Sequence, residues 1–345
     1  MHPKDMGPDF IEGEGGCSPV HKFLKHREVI IITIKLTQKK IPLNQNLTLA
    51  YQEIQINQQD DIVSKQILNM LLIHAYPLSS SMYLHSFTEP YLTEFVDPNN
   101  PFEIQLYCPD LPGFGDSTLL DEKPPNLMPF VEILHAFCAK LELTNIIIGG
   151  CSMGGYLSLA FAQKYPELVK GIILLDTKAE ADTADARQIR LDNISLIEKE
   201  IFALPSKNLA QPTIGELMGH NKLIHDIIYG LFHKLFYLQN PDAERFGTKI
   251  MKMIETQKAI ALTHSLSAMA GREESHTILA NLKIPILIIV GSQDVITPIV
   301  SAQAMQNSAR ATAELYIIQD AGHLAIMEQP KNCLQLIKKW LGNFA

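Results

Sequence analysis

The stretch NIIIGGCSMGGYLSLAFAQK occupies residues 145–164, and the fold prediction starts from it. The apolar run Asn145–Ile148 predicts a buried strand, and Met153–Lys164 predicts a helix. Between them lies the G-x-S-x-G sequence GCSMG at 150–154. Glycines are needed there because side chains beside the serine would clash in a sharp strand-to-helix turn. The turn predicts that Ser152 presents its hydroxyl at the carboxyl edge of a sheet, where a helix N-terminus favours developing negative charge.

Strand and helix patterns alternate on both sides of this turn. Apolar or alternating runs predict further strands at Val29–Leu36, Leu47–Ile56, Ile67–His74, Phe102–Cys108, Gly171–Leu175, Ile284–Val290 and Ala313–Ile318. The alternation in Leu47–Ile56 favours a half-exposed antiparallel strand. Helical periodicity covers Leu127–Leu141 and Asn332–Leu341. The rhythm predicts an α/β fold with a mostly parallel central sheet and helices on both faces.

The strand rhythm stops after Asp176. Helical periodicity then dominates Glu180–Ile201, Ile224–Tyr237 and Lys249–Met269. We therefore predict that residues 178–272, hereafter the cap segment, form a helical cap inserted between two strands of a core made of residues 28–177 and 273–345. The first residues are rich in glycine, proline and acids, and residues 1–27 are predicted to be a flexible tail.

Composition narrows the classes of protein that fit. Hydrophobic residues make up 46% of the 345-residue chain and charged residues 19%, which is enough apolar material for a large core. A net charge of −8 argues against a nucleic-acid partner. The five cysteines are odd in number, far apart and never spaced as C-x-x-C, so neither a disulfide framework nor a zinc site is expected. No apolar run suits a membrane span, no secretory signal is recognisable, and we expect a cytoplasmic protein.

A serine hydroxyl needs a base to become a nucleophile, and the base needs a carboxylate to orient it. His323 follows the last predicted strand and precedes the C-terminal helix, and Asp294 follows the strand Ile284–Val290. These positions predict a catalytic Ser152, Asp294 and His323, in that chain order. Asp176 also ends a predicted strand and is the competing acid.

Acyl transfer also needs two backbone N–H groups to hold the oxyanion. Met153, directly after the nucleophile, predicts one donor, and Tyr76, in the loop after an early strand, predicts the other. Neither a cofactor nor a metal ion is required by this chemistry, and none is expected.

Taken together, these segments resemble the α/β-hydrolase superfamily. The segment at 74–83 looks like the family's H-G-x-P oxyanion segment, and 110–117 (DLPGFGDS) looks like its D-x-P-G-x-G-x-S loop. Residues 175–183 are similar to the cap entry of a bacterial subgroup that includes 3-oxoadipate enol-lactonase-like, non-haem haloperoxidase-like and carboxylesterase proteins. Ala75 stands where the family usually has glycine, and its methyl group is expected to tilt the Tyr76 N–H or to narrow the acyl pocket.

The resemblance implies a serine hydrolase that cleaves a small-molecule carboxylic ester, thioester or lactone through an acyl-enzyme. A serine nucleophile argues against haloalkane dehalogenases and epoxide hydrolases, which need a carboxylate there. Two alternatives stay open. One is a slow-turnover or non-catalytic receptor of the same fold that binds a small ligand. The other is a perhydrolase or acyltransferase.

Overall fold

The structure, a computed structural model, describes residues 20–25, 28–59, 66–87, 91, 102–204 and 211–344. Its strands are β1 (Val20–Lys25), β2 (Glu28–Pro42), β3 (Thr48–Gln59), β4 (Gln66–Ile73), β5 (Phe102–Pro109), β6 (Ile146–Cys151), β7 (Val169–Leu175), β8 (Ile286–Gly291) and β9 (Ala313–Ile318). In this part of the chain they form one sheet in the order β1-β2-β3-β5-β4-β6-β7-β8-β9. The pairs β1–β2, β2–β3 and β3–β5 are antiparallel, and the other pairs are parallel.

The helices connect the parallel strands and fill the segment between β7 and β8. They are α1 (Ser81–Ser86), α2 (Met128–Lys140), α3 (Met153–Lys164), α4 (Ala184–Ala203), α5 (Ile214–His220), α6 (Lys222–Phe232), α7 (Ala243–Glu255), α8 (Ala259–Ala270), α9 (His276–Asn281), α10 (Ile299–Ala309), α11 (Ala325–Glu328) and α12 (Pro330–Leu341). Short 3₁₀ helices lie at Pro166–Leu168, Arg310–Thr312 and Gly342–Phe344.

Both faces of the parallel part of the sheet are covered. Every residue of β6 and of β8 is buried, as expected for a central strand between two helical layers. Helix α3 packs on β4, β6 and β7, α10 packs on β8 and β9, and α12 packs on β8 and α1. The predicted α/β class, with a mostly parallel sheet and helices on both faces, is confirmed.

The predicted helical stretch Lys249–Met269 is interrupted in the structure. Helix α7 ends at Glu255 and α8 begins at Ala259. The backbone between them pairs with a distant segment, because the Ala259 N–H donates to Pro212 O at 2.8 Å and the Ile214 N–H donates to Gln257 O at 2.8 Å. This long-range pairing has no local sequence signal.

The predicted tail at 1–27 overlaps a strand. Residues 20–25 form β1, which pairs antiparallel with β2 from Val20 opposite Thr33 to Lys25 opposite Glu28, so this part of the prediction was wrong. The composition rich in glycine, proline and acids ends before Val20, and Val20–Lys25 (VHKFLK) contains the strand-favouring residues valine and phenylalanine. Residues 1–19, 26 and 27 lie outside the described residues.

Two predictions concerned cysteines and membrane spans. Four cysteines, Cys108, Cys138, Cys151 and Cys333, are buried free thiols, whereas Cys17 lies outside the described residues. Within the described ranges, every helix is too short or too polar to cross a membrane.

Candidate active site

Ser152 lies in the turn between β6 and α3. Its backbone is left-handed, with φ 52° and ψ −112°, which is costly for a residue with a side chain and persists only where neighbours hold it. The Ser152 N–H donates to Leu175 O at 2.9 Å, and the Thr177 hydroxyl donates to Ser152 O at 2.7 Å. A side chain at Gly154 would collide with the carbonyl oxygen of Ile73. Contacts with the ends of β4 and β7 therefore fix the turn, and Gly154 is required because α3 lies directly against β4 there.

Asp294 and His323 are in direct contact. His323 Nδ1 lies 2.9 Å from Asp294 Oδ2, and both side chains are buried. The carboxylate also accepts hydrogen bonds from the Ile296 N–H at 2.8 Å, the Thr297 N–H at 2.9 Å and the Thr297 hydroxyl at 2.6 Å. Because an ionised carboxylate only accepts, Nδ1 donates to it, which leaves the other ring nitrogen, Nε2, free to accept a proton. Thr297 was missed by the sequence reasoning, since no motif marked it.

The competing acid, Asp176, occupies a different place. Its side chain is fully buried and accepts the Gly291 N–H at 2.8 Å and the Ala325 N–H at 2.9 Å, without a hydrogen bond to His323. Asp176 therefore joins the end of β8 to the segment that follows His323. The structure brings Asp294, and not Asp176, to the histidine.

The two carboxyl groups have opposite electrostatic environments. Burial raises the pKa of Asp176 well above its ordinary value, and the negative charge of Asp294 raises it further. Burial also opposes ionisation of Asp294, but the His323 ring and the hydrogen bonds from His323 and Thr297 outweigh it and hold the pKa of Asp294 below its ordinary value. The carboxyl beside His323 is thus the one that is ionised most readily.

Ser152 and His323 line the same cavity, of about 550 Å³. Among the described residues no hydrogen bond joins the Ser152 hydroxyl to His323, a contact that in free enzymes is often long and tightens with substrate bound. Tyr76 and Tyr156 also line this cavity. The remaining wall comes from α4, α6, α8 and the loop after β8, and is mainly apolar: Ala186, Ile189, Ile197, Ile227, Ile228, Leu231, Leu235, Leu266, Met269, Val295 and Ile296.

The two predicted oxyanion donors are unpaired in the described part of the chain, since neither the Tyr76 N–H nor the Met153 N–H has a hydrogen-bond acceptor. The loop carrying Tyr76 is anchored by His74, which is fully buried. The Leu111 N–H donates to His74 Nε2 at 3.0 Å, and Nδ1 lies 3.0 Å from Ala75 O. Nε2 is therefore the acceptor and Nδ1 the donor. Burial lowers the pKa of His74 from 6.5 to about 4, against the opposing effect of Ala75 O, so the ring is neutral.

A second buried carboxylate, Glu328, holds the histidine loop. One oxygen accepts the Gly322 N–H at 2.8 Å and the Leu324 N–H at 3.2 Å, on either side of His323. The other accepts the Tyr237 N–H of the cap segment at 2.8 Å. Sequence reasoning missed this residue. Its only local signal is an acid about one helical turn beyond the histidine.

Within the described residues, no group of three or more histidine, cysteine, aspartate or glutamate side chains is placed to hold a metal ion. Cys151, next to the nucleophile in sequence, is fully buried, and burial raises the pKa of its thiol well above the ordinary value. Its side chain therefore packs in the interior and does not act as a reactive thiol.

Comparison with known proteins agrees with the observed fold. The profile of the alpha/beta hydrolase fold family matches residues 69–330. Monoacylglycerol lipase ABHD6 of Homo sapiens is 23% identical over 283 residues, which cover 80% of this chain and 75% of that protein. A thermophilic esterase from Thermogutta terrifontis superposes with a TM-score of 0.68 at 26% identity, covering 89% of this chain and 98% of the esterase. The enol-lactonase of Burkholderia xenovorans LB400 shares the fold at 14% identity, with a TM-score of 0.64 and coverage of 86% and 98%.

Proposed function

The chain belongs to the α/β-hydrolase fold family, and we propose that it is a serine hydrolase which cleaves a carboxylic ester, thioester or lactone through an acyl-enzyme intermediate. The observation that carries this proposal is the buried Asp294–His323 pair, 2.9 Å apart, on a cavity that Ser152 also lines. The similarity to a lipase and an esterase supports ester hydrolysis in general. The serine mechanism rests on the geometry.

In the first half of the proposed reaction, Ser152 Oγ attacks the substrate carbonyl carbon while His323 Nε2 removes the hydroxyl proton. Asp294 fixes the tautomer that leaves Nε2 free and stabilises the imidazolium that forms. The carbonyl oxygen becomes negative, and the unpaired N–H groups of Tyr76 and Met153 are its proposed donors. The N-terminus of α3 adds to this stabilisation because its dipole favours negative charge.

In the second half, the imidazolium returns its proton to the leaving alkoxide, thiolate or ring oxygen, and the acyl group stays on Ser152. Water then attacks the acyl-enzyme, with His323 again as the base. The second tetrahedral intermediate collapses to release the carboxylic acid and restores the serine hydroxyl. No cofactor takes part in these steps.

The cap segment is proposed to shape the substrate cavity and to exclude water. Its helices α4, α6 and α8 supply apolar side chains to the wall, among them Ile197, Leu231 and Met269. A cavity of about 550 Å³ lined in this way suits a small or medium apolar group. Not all apolar residues of the cap segment line the substrate cavity, because Phe232 and Phe236 line a separate cavity between α6 and α7.

The buried free thiols support a cytoplasmic location, where cysteines stay reduced.

Replacing the nucleophile tests the proposal. Ser152→Ala should abolish hydrolysis of p-nitrophenyl esters while the protein keeps its fold by circular dichroism. Ser158→Ala is the matched control, since Ser158 is a buried serine within α3, whose hydroxyl donates to Gly154 O. A fluorophosphonate probe should label Ser152 in the wild type and in the control, but not in Ser152→Ala. Full activity of Ser152→Ala would overturn the proposal.

The alternatives predict different kinetics. A receptor would cleave esters once or very slowly, so a burst without steady turnover would favour it. An acyltransferase or perhydrolase would divert the acyl group when an alcohol or hydrogen peroxide competes with water. Product partitioning measured against acceptor concentration separates these from a hydrolase.

A further inference from the structure

The cavity beside Ser152 has an uneven distribution of charge. Apart from the proposed catalytic groups and their tyrosine neighbours, its polar lining consists of Arg190 and Asn193 on α4, Asp226 on α6, and Lys234. Asp226 is paired with Lys222 at 2.6 Å and also lies beside His225. Its negative charge is therefore already matched on the solvent side of α6. In a protein with a net charge of −8, this wall carries an excess of positive charge.

Arg190 belongs to a buried cluster in which two guanidinium groups share one carboxylate. Arg190 Nε lies 2.6 Å from Asp182 Oδ2, and Arg272 Nη1 lies 2.8 Å from Asp182 Oδ1. One negative charge cannot neutralise both arginines, so the cluster keeps one positive charge. Lys178 lies close enough to interact with both arginines and with Asp182, and Glu180 lies close to Lys178, so these two opposite charges leave the excess unchanged.

The two arginines differ in burial and in the number of their hydrogen bonds. Arg272 is almost fully buried: it also donates to Met269 O at 3.1 Å and to Glu180 O at 2.9 Å, and its guanidinium lies 4.2 Å from the ring centre of Tyr156. The side chain of Arg190 is 22% exposed. Among the described residues its only short hydrogen bond is through Nε, because Nη2 lies 3.5 Å from Asp182 Oδ1. Arg190 lines the cavity, and its terminal nitrogens therefore keep donor capacity.

Arg190 lines the same cavity as the proposed nucleophile. It shares one face of α4 with Ala186, Ile189, Asn193 and Ile197, and this face lines the cavity that contains Ser152. Burial raises the pKa of Tyr76, and the positive charge of Arg190 partly opposes this. The guanidinium thus acts electrostatically on the residue whose N–H is the proposed oxyanion donor.

We propose that Arg190 binds a carboxylate of the substrate, so that the preferred substrates are esters or lactones that carry a second, ionised carboxyl group on an apolar body. This inference rests on the proposed function and deepens it. Arginine suits the task because its planar fork binds a carboxylate through two parallel hydrogen bonds. The competing explanation is a structural role, in which Arg190 only holds α4 in place. Arg187 already supplies such an anchor one turn earlier, through Nε to Ala270 O at 3.1 Å.

The test compares p-nitrophenyl half-esters of glutarate and adipate with the same esters in which the free carboxyl is replaced by a neutral amide. For at least one chain length, wild-type kcat/KM should be higher for the acid than for its amide. Arg190→Gln should lower kcat/KM for that acid roughly 10- to 100-fold, the value of a lost hydrogen bond to a charged group. The amide should change by about twofold or less. Arg190→Lys should recover part of the loss, because it keeps the charge without the fork.

Arg187→Gln is the matched control, and it should leave the ratio of acid to amide unchanged. An equal loss on acid and amide in Arg190→Gln, or a wild type without preference for either acid, would overturn the proposal and leave Arg190 as an anchor. Failure of the proposed function has a different signature, namely no turnover of any ester. In that case calorimetric binding of the same acids and amides to Ser152→Ala still decides whether Arg190 selects the anion.

Discussion

Replacing His74 with glutamine should remove one pH-dependent loss of the free energy of unfolding. His74 is fully buried, its Nε2 accepts the Leu111 N–H, and burial lowers its pKa from 6.5 to about 4. Between these two pH values the unfolded chain binds a proton at this position and the folded protein does not. The free energy of unfolding therefore falls as the pH falls from 6.5 to 4, and below that no further loss comes from this residue.

The size of this loss follows from the shift in pKa. Each unit of pKa is worth about 1.4 kcal/mol, so the loss for His74 is about 3 kcal/mol. A glutamine amide oxygen can accept the Leu111 N–H where Nε2 does, and it does not titrate. Urea denaturation of wild type and His74→Gln, from neutral pH down to pH 4, should show the variant gaining about 3 kcal/mol relative to wild type. His220→Gln, at an exposed histidine, controls for the loss of a histidine side chain. If the free energies of unfolding of wild type and His74→Gln changed in parallel with pH, the reasoning would be refuted.

Three further predictions probe the site and the turn. Asp294→Asn should lower kcat on p-nitrophenyl esters by roughly three to four orders of magnitude, because the variant no longer fixes the tautomer of His323. Asp176→Asn should lower kcat by less than about tenfold, and the reverse ranking would contradict the assignment of Asp294 as the catalytic acid. Glu328→Gln should lower kcat about tenfold at nearly constant KM, because its NH₂ group must face a backbone N–H; an unchanged kcat would show that the loop holds without it. Gly154→Ala should lower the free energy of unfolding by about 2 kcal/mol in urea titrations. Gly219→Ala, at a helical position with open space, should leave it unchanged, and equal effects of the two substitutions would contradict the packing argument.

The sequence predicts those parts of the structure that depend on local signals. The helix Met153–Lys164 and the strand Ala313–Ile318 have the predicted bounds, because a glycine-rich turn or a polar boundary marks each end. The contact between Asp294 and His323 also follows from local patterns, since each residue comes shortly after a strand and parallel strands end at one edge of the sheet.

The contacts that support the site depend on residues far apart in the chain. Glu328 reaches Tyr237 across 91 residues, and Arg272 meets Asp182 from the opposite end of the cap segment. No periodicity or turn motif encodes such pairs, because they form only when folding brings segments far apart in the chain together. The same reason explains the break between α7 and α8, which depends on pairing with Pro212.

The proposed chemistry and the proposed selectivity are built on different parts of the fold. Ser152, Asp294 and His323 stand on loops at the ends of the parallel strands, and buried carboxylates such as Glu328 tie those loops to each other and to the cap segment. Arg190 stands on a helix of the cap segment and touches none of these tethers, because its partner is Asp182. A change at Arg190 can therefore alter which substrate binds while the nucleophile, the acid and the base keep their geometry. By contrast, a change at Glu328 should affect every substrate alike, since it acts on the histidine loop that all of them need.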